Sequence, residues 1–158
     1  MSATAADAAI QFMVYGVPVP QGSKKVIGRN VIEMADARLR SWRQDVAGNA
    51  KQAMEGASPY IEPVDVRLMF WLPRPRNHYG TGRNAEKLKS SAPVAPAVHP
   101  DLDKLTRAVL DALTGIVFHD DKQVVGLRLS KLYSDGDSSP GMMGAVTVLR
   151  PGLASPGA

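Results

Sequence analysis

Between residues 64 and 72 the chain alternates without a break. Val64, Val66, Leu68 and Phe70 fall on one side, and Asp65, Arg67, Met69 and Trp71 on the other. An extended chain returns each side chain to the same face every second residue. This segment therefore makes a strand with one wholly apolar face that something must cover. Two amphipathic segments can do so. Residues 37–54 place Leu39, Trp42, Val46, Ala50 and Ala53 at helical spacing, with Asp36 as candidate N-cap and Gly56, Ser58 and Pro59 ending the run. Residues 102–113 carry Leu102, Leu105, Val109, Leu110 and Leu113 on one stripe and stop at Gly115. Strand patterns also occur at 11–17, 124–133 and 145–149, and residues 26–35 suit a short extended piece or hairpin. The order strand, helix, strand, helix, strand, strand predicts an α+β fold, one mixed sheet with two main helices packed on it.

A chain of 158 residues can bury one core without staples. One domain is expected over residues 10–150, with flexible ends at 1–9 and 151–158, and no internal repeat is visible. The sequence has no cysteine, which excludes disulfides, thiolate metal sites and a cysteine nucleophile. His78, His99 and His119 are not spaced as a zinc motif. No apolar run approaches the roughly 18–20 residues needed to span a bilayer. The first ten residues hold no basic group and do not read as a secretory signal. The expectation is a cytoplasmic protein without membrane contact. Its net charge of +4 suits a polyanionic partner, a weak indication by itself.

Chemistry concentrates in HPDLDKLTRAVLDALTGIVFHDDKQVV, residues 99–125. Pro100 turns His99 away from helix, so Asp101 stands at a helix entrance with Asp103 two residues on. Inside a helix these carboxylates would diverge; at an extended entrance they can converge. Like charges held together call for a counter-ion, and a hard divalent cation such as Mg²⁺ prefers oxygen ligands. Asp120 and Asp121 precede the next strand and could reach the same place. The plainer alternatives are that Asp101 caps the helix and that Asp120 and Asp121 face solvent in a turn.

That run resembles the central motif of the RusA family of Holliday-junction resolvases. The family pattern is roughly D-L-D-N-L-x-K-x-x-x-D-A-L, a short apolar stretch, then D-D-x-Q-V. Asp101, Leu102, Asp103, Leu105, Asp111, Ala112, Leu113, Asp120, Asp121, Gln123 and Val124 match it. Lys131 and Tyr133 fit a K-x-Y ending of the following strand, and Gly16, Pro18, Pro20 and Gly22 resemble an early G-x-P-x-P-x-G stretch. The resemblance implies a homodimer that binds four-way DNA junctions and nicks them symmetrically with Mg²⁺, for which Mn²⁺ is expected to substitute. It implies Asp101, Asp103 and Asp121 as metal ligands, with Asp120 a fourth candidate. Two positions depart from the pattern: Lys104 replaces an asparagine, and Arg107 replaces the catalytic lysine. Arginine keeps the charge that steadies a phosphate but is too weak an acid to donate a proton. Without the resemblance, Arg107 reads as an i, i+4 partner of Asp103 or Asp111 on the helix surface.

Lys24, Lys25, Arg29, Arg74, Arg76, Arg83 and Lys104 are the candidate DNA contacts, several of them within a long basic loop at 74–98. Such contacts position DNA without reading its sequence. Two other functions remain open on sequence: a branched-DNA-binding protein without catalysis, and a metal-dependent phosphohydrolase of small nucleotides.

Overall fold

The computed structural model describes residues 9–22, 24–33, 37–136 and 138–151. The proposed Asp36 cap and nearly all of the two terminal segments lie outside them. The strands are β1 (Ala9–Tyr15), β2 (Lys24–Ile27), β3 (Asn30–Glu33), β4 (Val64–Pro73), β5 (Val124–Ser134) and β6 (Gly141–Val148); the helices are α1 (Ala37–Ala53) and α2 (Leu102–Leu113). One four-stranded sheet has the order β1-β6-β4-β5, and β2 and β3 form a separate two-stranded hairpin. The α+β expectation holds, with one mixed sheet and two helices. Among the described residues no helix is long and apolar enough to cross a membrane.

The alternation in β4 determines how the layers stack. Val64, Val66, Leu68 and Phe70 are buried to 1% exposure or less, whereas Arg67 on the opposite face is exposed and Asp65, Met69 and Trp71 are half-buried. Both helices lie on the apolar face. Leu39, Trp42, Val46 and Ala50 of α1, with Leu105, Ala108, Val109 and Leu113 of α2, enter the same core as Phe12, Val14, Met142, Val146 and Val148 from the flanking strands. α1 packs on α2 and β1, and α2 also reaches β5.

β4 pairs antiparallel with β6 on one side and parallel with β5 on the other. A parallel pair cannot be joined by a hairpin, so the chain leaves β4, crosses the sheet through the basic loop and α2, and re-enters at β5. The return is tight. α2 ends at Leu113 with Thr114 as its C-cap, Gly115 follows with φ 85°, and the Gly115 amide donates to the Phe118 carbonyl at 2.7 Å. Val117 and Phe118 are thereby buried completely beneath the sheet end.

The hairpin falls at 24–33 rather than 26–35, turning through Gly28 at φ 64°. The last strand starts four residues before the expected Ala145. Gly141 and Gly144 have low intrinsic strand preference, and no polar residue alternates with Met142 and Met143. They are extended because β6 is sandwiched between β1 and β4, and its glycines let neighbours approach closely. A Cβ on Gly141 would lie 2.4 Å from the Val14 carbonyl oxygen, a backbone atom that cannot swing aside. Gly141→Ala is expected to lower unfolding free energy by about 1–3 kcal/mol, the usual cost of overpacking. Gly48→Ala, in an open stretch of α1 with nothing within 4 Å of the added methyl, is expected to raise it by roughly 0.5–1 kcal/mol. Urea denaturation of both variants checks the opposite signs.

Candidate active site at the entrance of the second helix

Asp101 occupies the N-cap position of α2 with φ −70° and ψ 140°, yet its side chain makes no capping hydrogen bond. Its carbonyl instead starts the helix, accepting from the Leu105 amide at 3.0 Å. Both carboxylate oxygens face other partners. Oδ1 lies 2.9 Å from His99 Nδ1, and Oδ2 lies 4.0 Å from Lys104 Nζ. The capping role that local statistics favour is therefore not what this carboxylate does.

The approach to Asp101 is held from the sheet. Lys131 on β5 donates from Nζ to the Val98 carbonyl at 2.7 Å and to the Pro100 carbonyl at 2.9 Å. The peptide bond between His99 and Pro100 is cis. An ammonium with two such bonds fixes where the segment enters the helix, and the parallel register of β5 fixes the ammonium. Asp103 follows as an exposed acidic residue in the first turn of α2, where the helix dipole favours negative charge.

The second acidic pair is divided in its duties. Asp120 Oδ1 accepts from the Lys122 amide at 3.0 Å, and the Asp120 amide donates to Gln123 Oε1 at 3.0 Å, a complete capping box for the short turn at Asp121–Gln123. The Lys122 amide holds the Asp120 carboxyl below its ordinary pKa; desolvation opposes it, and the Lys122 charge and Asp121 add lesser lowering effects. A lowered carboxylate pKa means that this cap stabilises the fold above the ordinary range and is lost as pH falls through the lowered value. Asp121 is exposed on the first residue of the turn. Gln123 extends the lock, donating from Nε2 to the Tyr60 and Glu62 carbonyls, each at 2.9 Å. The turn is thus tied to the chain entering β4.

Among the described residues no three Asp, Glu or His side chains stand close enough together to cage a metal ion. The structure groups Asp101 with His99 and Lys104, and Asp120 with Asp121; it does not join them into one cluster. Arg107 is 65% exposed, with Nε 3.7 Å from Asp111 Oδ1, the i, i+4 surface arrangement. Asp111 also accepts from Arg43 at 3.2 Å.

The candidate DNA contacts separate as well. Arg74 is only 4% exposed at its side chain. Its guanidinium is committed to Asp135 at 2.5 Å and to the Pro93 carbonyl at 2.7 Å, and lies 4.2 Å over the Tyr133 ring. Arg74 anchors the long loop and offers no face to a phosphate. The loop is ordered by its own backbone: the Gly80 amide donates to the Lys87 carbonyl and the Lys89 amide to the His78 carbonyl, each at 2.9 Å. It carries Arg76 and Arg83 exposed, and Arg29 is exposed at the β2–β3 turn. Lys24 and Lys25 lie on β2, and their side chains are outside what the structure describes.

Sequence reasoning did not identify the roles of His99, Lys131 and Gln123 around these carboxylates. Lys131 and Gln123 appeared only as matched motif letters, because their partners are carbonyls distant in sequence. It also missed a cleft of about 880 Å³ that opens beside Asp101.

The chain is a mixed α+β domain that displays carboxylates at a helix entrance and exposed arginines on its loops. The particular family follows from comparison. The family model described as Endodeoxyribonuclease RusA matches residues 16–138, which include every element from the Gly16 loop through β5. The chain is also 34% identical over 128 residues to the uncharacterized protein YqaN of Bacillus subtilis (strain 168), covering 80% of this chain and 89% of that one. The chain belongs to the RusA endodeoxyribonuclease family, a class of DNA endonucleases.

Lys131→Met removes both bonds to the loop carbonyls while keeping the side-chain length. DNA cleavage is expected to slow by about 100-fold, the scale of a misplacement near 1 Å, with DNA affinity little changed. Single-turnover cleavage alongside equilibrium binding checks the split.

Proposed function

We propose that this protein resolves four-way DNA junctions by paired symmetric nicks, in DNA recombination and repair, with Mg²⁺ as cofactor. The observation that carries the proposal is Asp101. It sits at a helix cap without capping, on a segment clamped by Lys131, inside the region matched by the endodeoxyribonuclease family. A carboxylate positioned this firmly and left half-exposed is suited to a ligand.

Asp101, Asp103 and Asp121 would hold the ion; Asp120 is the weaker candidate because its oxygen already caps a turn. The donor chemistry fits, since all are carboxylate oxygens and Mg²⁺ is a hard cation. Among the described residues no three of these carboxylates stand together, so the ion would be held by one or two of them and complete its shell with water and substrate phosphate, as Mg²⁺ does in phosphoryl-transfer sites. When bound, such an ion polarises the phosphate and acidifies water. His99 and Lys104 orient the Asp101 carboxylate. Arg107 steadies charge developing on the phosphate and cannot supply a proton. Lys24, Lys25, Arg29, Arg76, Arg83 and Lys104 contact the backbone of the DNA. A two-fold homodimer would place identical sites on opposite strands of a junction, and the cytoplasm is the compartment where such DNA is met.

The wild-type protein, given a synthetic four-way junction and Mg²⁺, is expected to release nicked duplexes, and Asp103→Asn to bind the junction without cutting. Binding without cleavage by the wild type would favour a non-catalytic DNA-binding protein, and turnover of free nucleotides with weak junction affinity would favour a phosphohydrolase. Cleavage by Asp103→Asn at the wild-type rate would remove Asp103 from the metal site. Arg107→Ala is expected to lower the cleavage rate about 100-fold or more with a smaller loss of binding. Equal losses would make Arg107 a simple phosphate anchor.

A further inference from the structure

The cleft beside Asp101 runs on between two other parts of the chain, and its lining mixes prolines with charged groups, among them Arg38, Asp45 and Lys104. Residues 16–22 form one side, the first half of α1 the other, and Pro100, Asp101 and Lys104 close the end. The loop is fixed in place. The Gly16 amide donates to the Pro140 carbonyl at 3.0 Å, the Gln21 amide to the Lys104 carbonyl at 3.0 Å, and Arg43 holds the Gln21 side-chain oxygen. The space is therefore preformed between two rigid walls.

Pro18, Pro20 and Pro100 contribute flat apolar surfaces, and Pro18 is buried. Trp42 stands behind the wall at 3% exposure and stiffens it. Flat proline surfaces suit the face of a heterocyclic base, and the Lys104 ammonium at the end of the cleft suits the phosphate attached to it. The volume of about 880 Å³ exceeds the roughly 300 Å³ at the lower end for small-ligand sites. Asp101 and Lys104 line both the cleft and the candidate cleavage site, so a nucleotide whose phosphate lies at Asp101 has its base at the cleft mouth.

We propose that the cleft between residues 16–22 and α1 receives one DNA base, unstacked from the strand next to the phosphate that is cut. The proposal rests on the endonuclease reading above and adds a source of selectivity to it. Taking a base out of a regular duplex costs unstacking and unpairing, and the cost is least where the base is already poorly held. A branch point offers such bases, so the cleft would favour branched over linear DNA without reading sequence through the grooves.

The test uses a four-way junction carrying 2-aminopurine beside the cut site, with Ca²⁺ replacing Mg²⁺ for binding measurements. On binding wild type, fluorescence is expected to rise as the base leaves the stack. Ser41 and Val17 are exposed at the cleft. Ser41→Trp and Val17→Trp fill it from opposite walls, and thermal melting checks their folding. Either folded variant is expected to lose the fluorescence rise and at least about tenfold of the preference for junction over linear duplex. Wild-type cleavage with no fluorescence change would overturn the base-pocket proposal and leave the endonuclease reading standing. So would a rise that survives in both filled variants. Absence of junction binding by wild type would overturn both.

Discussion

The buried face of β4 is the constraint on which the other elements depend. Val64, Val66, Leu68 and Phe70 have essentially no contact with water. Burying a side chain of this kind is worth about 1.5–3 kcal/mol relative to leaving it exposed. β4 is also flanked on both edges, by β6 and by β5. A strand paired on both sides and covered on one face cannot slip register, because a shift of one residue would turn Asp65 and Arg67 into the core. The helices settle against that fixed surface, and α2 brings Asp101 with it.

Polar locks then convert a packed fold into a positioned site. Parallel pairing places β5 beside β4, and β5 carries Lys131, which grips the carbonyls of residues 98 and 100. At the start of the same strand Gln123 grips the carbonyls of Tyr60 and Glu62 and completes the Asp120 cap. These bonds join pieces of chain that hydrophobic packing alone would leave loosely related. They also give the matched motif a physical meaning. Several of its polar letters are structural clamps, and fewer are free to meet a substrate.

The same accounting changes how the charges are read. Arg74 opens the long basic loop but is committed to Asp135, Pro93 and Tyr133. Asp120 and Asp121 are neighbours with nearly equal claims by sequence, yet one caps a turn and the other is exposed. A charged side chain acts on a ligand only if its neighbours have not already satisfied it, and that is a property of the environment.

The sequence by itself determined the elements, their order and the location of the acidic groups. Alternation in β4, the stripes of α1 and α2 and the glycine after α2 are local patterns, and local backbone geometry is enough to interpret them. It did not reveal that Asp101 leaves its helix uncapped, because capping depends on where the side chain rotates among His99, Lys104 and the amides of α2. It did not reveal the early start of β6, where Gly141 and Gly144 have little strand preference of their own and are held extended by neighbours on both sides. Tertiary structure alone joined residues 16–22 to α1 and Pro100 as a cleft, since those pieces are tens of residues apart and share no pattern. Among the described residues the three aspartates are not gathered into one cluster. Only the folded chain distinguishes the carboxylate held by His99 and Lys104, and the two exposed ones, from Asp120, which its own turn consumes.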